Sequence, residues 1–161
     1  MKNQACFTYY IVIIVVLVFV HVASDTVAAQ EPYRIGVALG FSGTGAPYCS
    51  EAVEGAERAV NEINASGGIA GRHRIELFIR DTQTRPETAK AVTERLILED
   101  QVHCVIGTYS SACALAIKPL CRQHRTLHIA PISNSEAITK RDPSPYTFSV
   151  VPNTYMMSKA V

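Results

Sequence analysis

The chain has 161 residues, of which 48% are hydrophobic and 18% are charged, enough for one globular domain and too few for two. Its formal net charge of +1 argues against the basic surface that nucleic acid binding requires, so no nucleic acid partner is expected. The sequence has no internal repeat, no low-complexity tract and no cysteine and histidine spacing typical of a zinc site, and we expect neither a metal nor a cofactor.

Residues 1–29 have the layout of a secretory signal peptide. Lys2 and the N-terminal amine precede an uninterrupted apolar run at residues 9–20, and small residues at positions 27–29 follow it. Spanning a bilayer takes about 20 apolar residues, and His21 ends the run too early for a membrane span. A cleaved signal peptide is therefore favoured, and an uncleaved membrane anchor is the alternative. We therefore expect a periplasmic or secreted protein made of residues 30–161.

Export would place four cysteines in an oxidising compartment, where an even number permits two disulfide bonds. They are Cys49, Cys104, Cys113 and Cys121, whereas Cys6 precedes the apolar run and is badly placed for lipid attachment. Three pairings are open. Cys113 and Cys121 would lie about 12 Å apart along one helix, which disfavours that pairing. Cys104 lies in the middle of a predicted strand, and a buried free thiol fits this position as well as a disulfide does.

Strand and helix patterns alternate along the first part of the exported chain. A strand at residues 33–39 leads into a glycine-rich loop, and apolar residues then recur at helical spacing over residues 52–63. This helix should end at Gly67 and Gly68, where left-handed geometry costs little. A second strand follows at residues 75–81, and Pro86 is typical of the first turn of a second helix.

The alternation continues in the remainder of the chain. Residues 102–107 are a short apolar run typical of a buried strand, and the segment from Ser111 to about residue 124 predicts a third helix. Pro119 should kink this helix or delay its start. Residues 127–132 and 146–151 are further extended runs.

The order of these elements predicts an α/β fold with a doubly wound, mostly parallel sheet, because parallel strands need right-handed helical crossovers. In such sheets ligands bind at the carboxyl ends of the strands, beside a switch point in the strand order. Three loops are therefore expected to meet at one cleft, at residues 41–49, 108–111 and 131–134.

The stretch from Val105 to Ala112 is the predicted centre of this cleft. A buried strand changes into Gly107, the pair Ser110 and Ser111, and then a helix. The first amides of a helix lack intrahelical acceptors and carry the positive end of its dipole, so this turn is a candidate anion site. The alternative is that Ser110 or Ser111 only caps the helix.

No enzyme signature is present: the chain lacks a glycine-rich dinucleotide loop, a P-loop and a nucleophile elbow. Ser111 as a nucleophile would need a base, and no histidine is predicted at this rim. Asp81, at a strand end, is interpreted as a loop cap. Four histidines, His73, His103, His124 and His128, are assigned to surface or strand-end positions. We therefore expect a protein that is not an enzyme.

Residues 55–72, from Gly55 to Arg72, resemble the signature helix and turn of the periplasmic leucine/isoleucine/valine-binding proteins, the type I solute receptors of ABC importers. The resemblance extends from Tyr33 to the end of the chain. Its further matches are Ile35-Gly36-Val37 with Ser42-Gly43, Asp81, Val105-Ile106-Gly107 with the serines that follow, Ala130-Pro131, and Pro145-Tyr146-Thr147-Phe148.

The resemblance implies that a free amino acid is held by its two charged groups. Ser111 and the neighbouring helix amides would receive the carboxylate, while the Ile132 carbonyl and the Asn134 side chain would accept from the ammonium. An aromatic residue at Tyr48 would cover the ligand side chain. The implied ligand-binding residues are Tyr48, Ser110, Ser111, Ile132, Ser133 and Asn134.

The sequence departs from the family pattern in three respects. Asn134 stands where the family has a hydroxyl residue, and Gln83 and Ser110 stand at its disulfide positions, so a bridge would have to be rewired, for instance from Cys49 to Cys113. Family members have two lobes. We expect residues 30–161 to be the N-terminal lobe with the second lobe missing, a truncated or fragmentary form with apolar surface exposed at the open side of its sheet.

The expected function is therefore that of the extracytoplasmic substrate-binding component of an ABC transporter for branched-chain or related amino acids. The implied partners are a free amino acid and a permease in the membrane. The alternatives are the ligand-sensing lobe of a receptor and a binder of amides, aromatic acids or other small metabolites.

Overall fold

A five-stranded parallel sheet runs through residues 31–160, the part of the chain that the computed structural model describes. Its strands are β1 (Tyr33–Leu39), β2 (Ile75–Asp81), β3 (Cys104–Gly107), β4 (Leu127–Ala130) and β5 (Thr147–Ser149), in the spatial order β2-β1-β3-β4-β5. All neighbouring strands are parallel, which confirms the expected α/β fold. The expected signal peptide at residues 1–29 lies outside the described residues.

The α-helices of the same region are α1 (Ala46–Ala65), α2 (Pro86–Leu98), α3 (Ser111–Gln123), α4 (Ala137–Lys140) and α5 (Thr154–Lys159). Helix α1 covers one face of the sheet, where Val37 and Leu39 of β1 pack with Cys49. Helices α2 and α3 cover the other face, where Ala38 packs with Leu96 and Ile117. Because successive side chains of a strand point to opposite faces, β1 is buried on both sides.

The strand order reverses between β1 and β3, since the chain goes from β2 past β1 to reach β3. The carboxyl ends of these two strands form the switch point at which ligands bind in doubly wound sheets. Within residues 31–160, no helix combines the length and the apolar character needed to cross a membrane.

Helix α1 begins earlier than its hydrophobic spacing predicted. It starts at Ala46 because Pro47 occupies its first turn, where a missing amide costs nothing. Tyr48 and Cys49 therefore lie on a helix and not in a loop. The helix ends as predicted: Gly67 and Gly68 have φ angles of 103° and 81°, which a side chain would disfavour.

Helix α3 runs from Ser111 without a break through Pro119, so the expected delay in its start is wrong. Pro119 is exposed, and its missing amide leaves the Leu115 carbonyl without its helical donor on that side. Because the helix begins at Ser111, its N-terminus directly follows the turn after β3, as the candidate site requires.

The four cysteines of the described region are buried free thiols, and the expected bridge between Cys49 and Cys113 is wrong. Cys49 packs with Val37 and Leu39 on one face of the sheet, whereas Cys113 belongs to the core on the opposite face. The sheet itself separates the two sulfur atoms. Burial raises the pKa of Cys121 to about 12, so this thiol stays protonated.

The edge strand β5 and helix α5 carry exposed apolar side chains. Phe148 is 51% exposed and Val150, just after β5, is 68% exposed, while Tyr155 and Met156 of α5 are exposed as well. The expected apolar surface at the open side of the sheet is therefore present.

Candidate functional site

The turn after β3 begins at Gly107, which lies against the backbone of β1. A Cβ atom at this position would collide with the carbonyl oxygen of Ala38, so only glycine fits. Thr108 follows, fully buried, and its hydroxyl donates to the Ser110 carbonyl at 2.7 Å. These contacts shape the turn before α3 begins.

Within residues 31–160, no side chain caps α3. Ser110 occupies the N-cap position with extended φ and ψ angles of −80° and 131°, but its hydroxyl makes no capping bond. Burial raises the pKa of the Cys113 thiol, and hydrogen bonding with Ser110 opposes that rise. The amides of Ser111 and Ala112 have no acceptor among the described residues. They are the donors to which an anion could bind.

The loop after β4 is tied to this turn. The Ser133 hydroxyl donates to the Thr108 carbonyl at 2.6 Å, and the Tyr109 carbonyl lies 3.1 Å from the same oxygen as a second acceptor for its single hydrogen. The Ser135 amide donates to the Ser111 hydroxyl at 3.3 Å. Ser133 is only 1% exposed, and its side chain links the two loops.

Ile132 and Asn134 offer different acceptor groups. The Ile132 carbonyl accepts no hydrogen bond from residues 31–160, while its side chain packs with the cluster that contains Cys49. The backbone carbonyl of Asn134 is already bonded to the Thr154 amide at 2.8 Å. Its side-chain nitrogen lies 4.0 Å from Met157 Sδ, on the side of α5, which leaves the amide oxygen as the remaining acceptor.

Two tyrosine rings border the turn. Tyr48 of α1 is 61% exposed and stacks on Tyr109, with ring centroids 5.5 Å apart and planes inclined by 9°. Gly45 makes room for this pair, because a Cβ there would come within 2.8 Å of the Tyr109 ring. Tyr109 was not among the expected site residues, although an aromatic residue between Thr108 and Ser110, directly after a strand, was a usable signal.

Asp81 acts as the loop cap that the sequence predicted. Its Oδ1 atom accepts from the amides of Phe41 and Gln83 at 2.9 and 2.8 Å, and its Oδ2 atom accepts from the Ser42 hydroxyl at 2.6 Å. Burial alone would raise the pKa of Asp81, but the hydrogen bonds from Ser42, Gln83 and Phe41 outweigh it and lower this pKa. Asp81 therefore holds the first loop at the end of β2.

The prediction that His128 lies at the surface or at a strand end is wrong, because this residue is fully buried within β4. Its Nε2 atom lies 2.8 Å from the Gly107 carbonyl oxygen. His73, His103 and His124 do lie outside the core. No group of three or more potential metal ligands forms a site in the region that the structure describes.

Residues 32–161, most of the chain, match the sequence profile of a family described as periplasmic binding protein. The chain belongs to the periplasmic binding protein family. An amino acid binding protein of Pseudomonas aeruginosa is 32% identical over 107 residues, which are 66% of this chain and 28% of that protein. The Leu/Ile/Val-binding protein of Escherichia coli is 29% identical over 119 residues, 74% of this chain and 32% of that protein. The chain thus spans about a third of the length of these curated relatives.

Solved structures of periplasmic binding proteins are similar in fold. LivJ of Streptococcus pneumoniae, a branched-chain amino acid transporter substrate-binding protein in complex with isoleucine, has a TM-score of 0.71 and 30% identity, covering 76% of this chain and 34% of its own. An ABC transporter substrate-binding protein of Desulfitobacterium hafniense in complex with leucine has a TM-score of 0.65 and 27% identity, covering 77% and 35%. A solute-binding protein of Rhodopseudomonas palustris in complex with 3,4-dihydroxybenzoic acid has a TM-score of 0.66 at 24% identity, covering 76% and 32%, and shows the fold alone.

Proposed function

We propose that residues 30–161 form the N-terminal lobe of an extracytoplasmic substrate-binding component of an ABC transporter, and that this lobe holds half of a site for a branched-chain or related amino acid. The observation that carries the proposal is that, among the described residues, the amides of Ser111 and Ala112 have no acceptor and the Ile132 carbonyl, in the loop tied to this turn, has no donor. Donors beside an acceptor match the two charged groups of a free amino acid.

The carboxylate would bind at the head of α3. The Ser111 and Ala112 amides and the helix dipole favour a negative charge there, and the Ser111 hydroxyl can donate while it accepts from the Ser135 amide. The ammonium would then be directed towards the Ile132 carbonyl and the Asn134 side-chain oxygen. Ser133 would contribute by holding the two loops together, because its hydroxyl is directed to the Thr108 and Tyr109 carbonyls and not to the ligand.

The proposed role is binding and delivery, without catalysis. It is supported by the substrate-binding proteins among its relatives and by the buried position of His128, whose Nε2 atom is engaged with the Gly107 carbonyl. Export is supported by the signal-like layout of residues 1–29. The proposed partner in the membrane is the permease of the transporter.

The proposal can be tested by following the Ser111 and Ala112 amide signals by NMR during titration with L-leucine. L-leucinamide, which lacks the carboxylate, should shift these signals much less at equal concentration. Ser111→Ala should weaken L-leucine binding about tenfold or more, because a hydrogen bond to a charged group contributes about 1.5–3 kcal/mol.

Ser66→Ala is the matched control. Ser66 follows the far end of α1, and its hydroxyl donates to the Ile63 carbonyl at 2.8 Å, away from the turn. This variant should bind L-leucine as the unaltered chain does. Equal binding of L-leucine and L-leucinamide, or equal affinity of the two serine variants, would contradict the proposed site.

A second candidate ligand class is an aromatic acid, favoured by the exposed Tyr48 ring stacked on Tyr109. A planar ring could extend this stack while its carboxylate reaches the same amides. Benzoate in the same titration separates the two classes: an aromatic binder would prefer benzoate to L-leucine and lose that preference in Tyr48→Leu.

A further inference from the structure

The imidazole of His128 contacts the last residue of β3. His128 is paired with Val105 in the β3 and β4 register, and its side chain reaches along the same face of the sheet to the Gly107 carbonyl oxygen, 2.8 Å from Nε2. A carbonyl oxygen can only accept, so Nε2 must carry the hydrogen. The neutral ring then has its lone pair on Nδ1.

The contact lies directly before the candidate site. Gly107 is pressed against Ala38 of β1, and Thr108 and Ser110 follow it in the turn that presents the free amides of α3. The orientation of the Gly107 carbonyl sets the direction in which the chain leaves β3. A donor fixed in the core therefore holds the first peptide of the turn.

The second ring nitrogen of His128, Nδ1, has no hydrogen-bond partner in the described part of the chain. Nδ1 of His128 and Oγ1 of Thr147 are both buried without a partner among the described residues, although the two residues are neighbours in the β4 and β5 register. The charge that acts on His128 in this part of the chain is that of Lys118 on α3, whose Nζ atom donates to the Arg141 carbonyl at 2.6 Å. Burial and, to a smaller extent, the charge of Lys118 lower the pKa of His128, so the neutral ring is favoured.

We propose that His128 is a positioning residue for the proposed ligand site: its Nε2 hydrogen holds the Gly107 carbonyl and thereby fixes the turn that carries the ligand-binding amides. The inference rests on the proposed function for its effect on ligand affinity. The arrangement of the turn itself can be observed without a ligand.

The test combines spectroscopy with substitution. The ¹⁵N signals of the imidazole should identify the neutral tautomer with the hydrogen on Nε2. His128→Phe, which keeps a ring but no donor, should shift the amide signals of Thr108 to Ala112 and weaken L-leucine binding about tenfold. His128→Gln places an amide donor at a similar reach and should restore affinity to within about threefold of the unaltered chain.

Thr147→Val is the matched control, because it changes a buried neighbour of the same ring and leaves the Gly107 contact intact. It should alter neither the amide signals of the turn nor the affinity. Hydrogen on Nδ1, or equal losses in Thr147→Val and His128→Phe, would overturn the inference. If the unaltered chain binds no amino acid, the proposed function fails, whereas the tautomer and the turn signals still decide the role of His128.

Discussion

Single residues decide where the site can form. Gly107 brings β3 close to β1, and the Ser133 hydroxyl and the His128 imidazole hold the carbonyls of the following turn. The sequence pointed to the turn itself, since a glycine and two serines after an apolar run are typical of a strand followed by a helix. It could not tell that Ser111 is half-buried while Ser133 is fully buried, because side-chain burial depends on contacts distant in the sequence.

Gly107→Ala should destabilise the domain by about 1–3 kcal/mol, because the new methyl group would collide with a backbone oxygen that cannot rotate away. Gly55→Ala is the control: nothing lies within 4 Å of a Cβ at that exposed position of α1, and alanine favours a helix over glycine by about 1 kcal/mol. Urea unfolding should thus show opposite changes in the two variants. A stable Gly107→Ala chain would mean that β1 and β3 can move apart.

At the scale of elements, the spacing of apolar residues predicted the order of strands and helices, because buried strands and amphipathic helices have different spacings of apolar residues. The start of α1 did not, because the residues from Ala46 to Ser50 are only partly apolar and Pro47 is compatible with a loop as well. The cysteine pairing also went wrong at this scale. Cys49 and Cys113 both lie near the cleft, but their helices cover opposite faces of the sheet.

The buried thiols should therefore stay reduced and unreactive in the native protein. Burial raises the pKa of Cys49, Cys104 and Cys113, and to about 12 for Cys121, so little thiolate is available for attack. A thiol reagent such as DTNB should label residues 30–161 only after denaturant is added. Mass spectrometry that finds a bond between Cys49 and Cys113 would contradict the arrangement of α1 and α3.

For the whole molecule, the parallel sheet with its switch point explains why three separate loops meet, and this could be predicted from the order of elements. What could not be predicted is the polar interior that supports the cleft. His128 lies among residues of an apolar strand, so its position is invisible to a hydrophobic pattern, and Asp81 only becomes a cap once β1 and β2 are paired. Both groups are titratable, so the stability of the folded domain should depend on pH.

The stability of the domain should fall in two ranges as pH is lowered. Burial lowers the pKa of His128 below its ordinary value of 6.5, although the hydrogen bond to Gly107 acts in the opposite direction. The unfolded chain therefore binds more protons than the folded one, and the stability declines below about pH 6.5. Hydrogen bonds outweigh burial and lower the pKa of Asp81 below 3.8, so its contribution is present above that pH and is lost as pH falls through the lowered value.

The urea midpoint measured between pH 8 and pH 3 tests both contributions. His128→Gln takes up no proton and should flatten the decline that begins near pH 6.5, with the decline below pH 4 unchanged. Asp81→Asn should lower the midpoint at neutral pH, because the amide cannot accept all the hydrogen bonds of a carboxylate, and should weaken the decline below pH 4. A midpoint that stays constant from pH 7 to pH 5 in the unaltered chain would mean that His128 is protonated as easily in the folded state as in the unfolded one, which its burial beside Lys118 opposes.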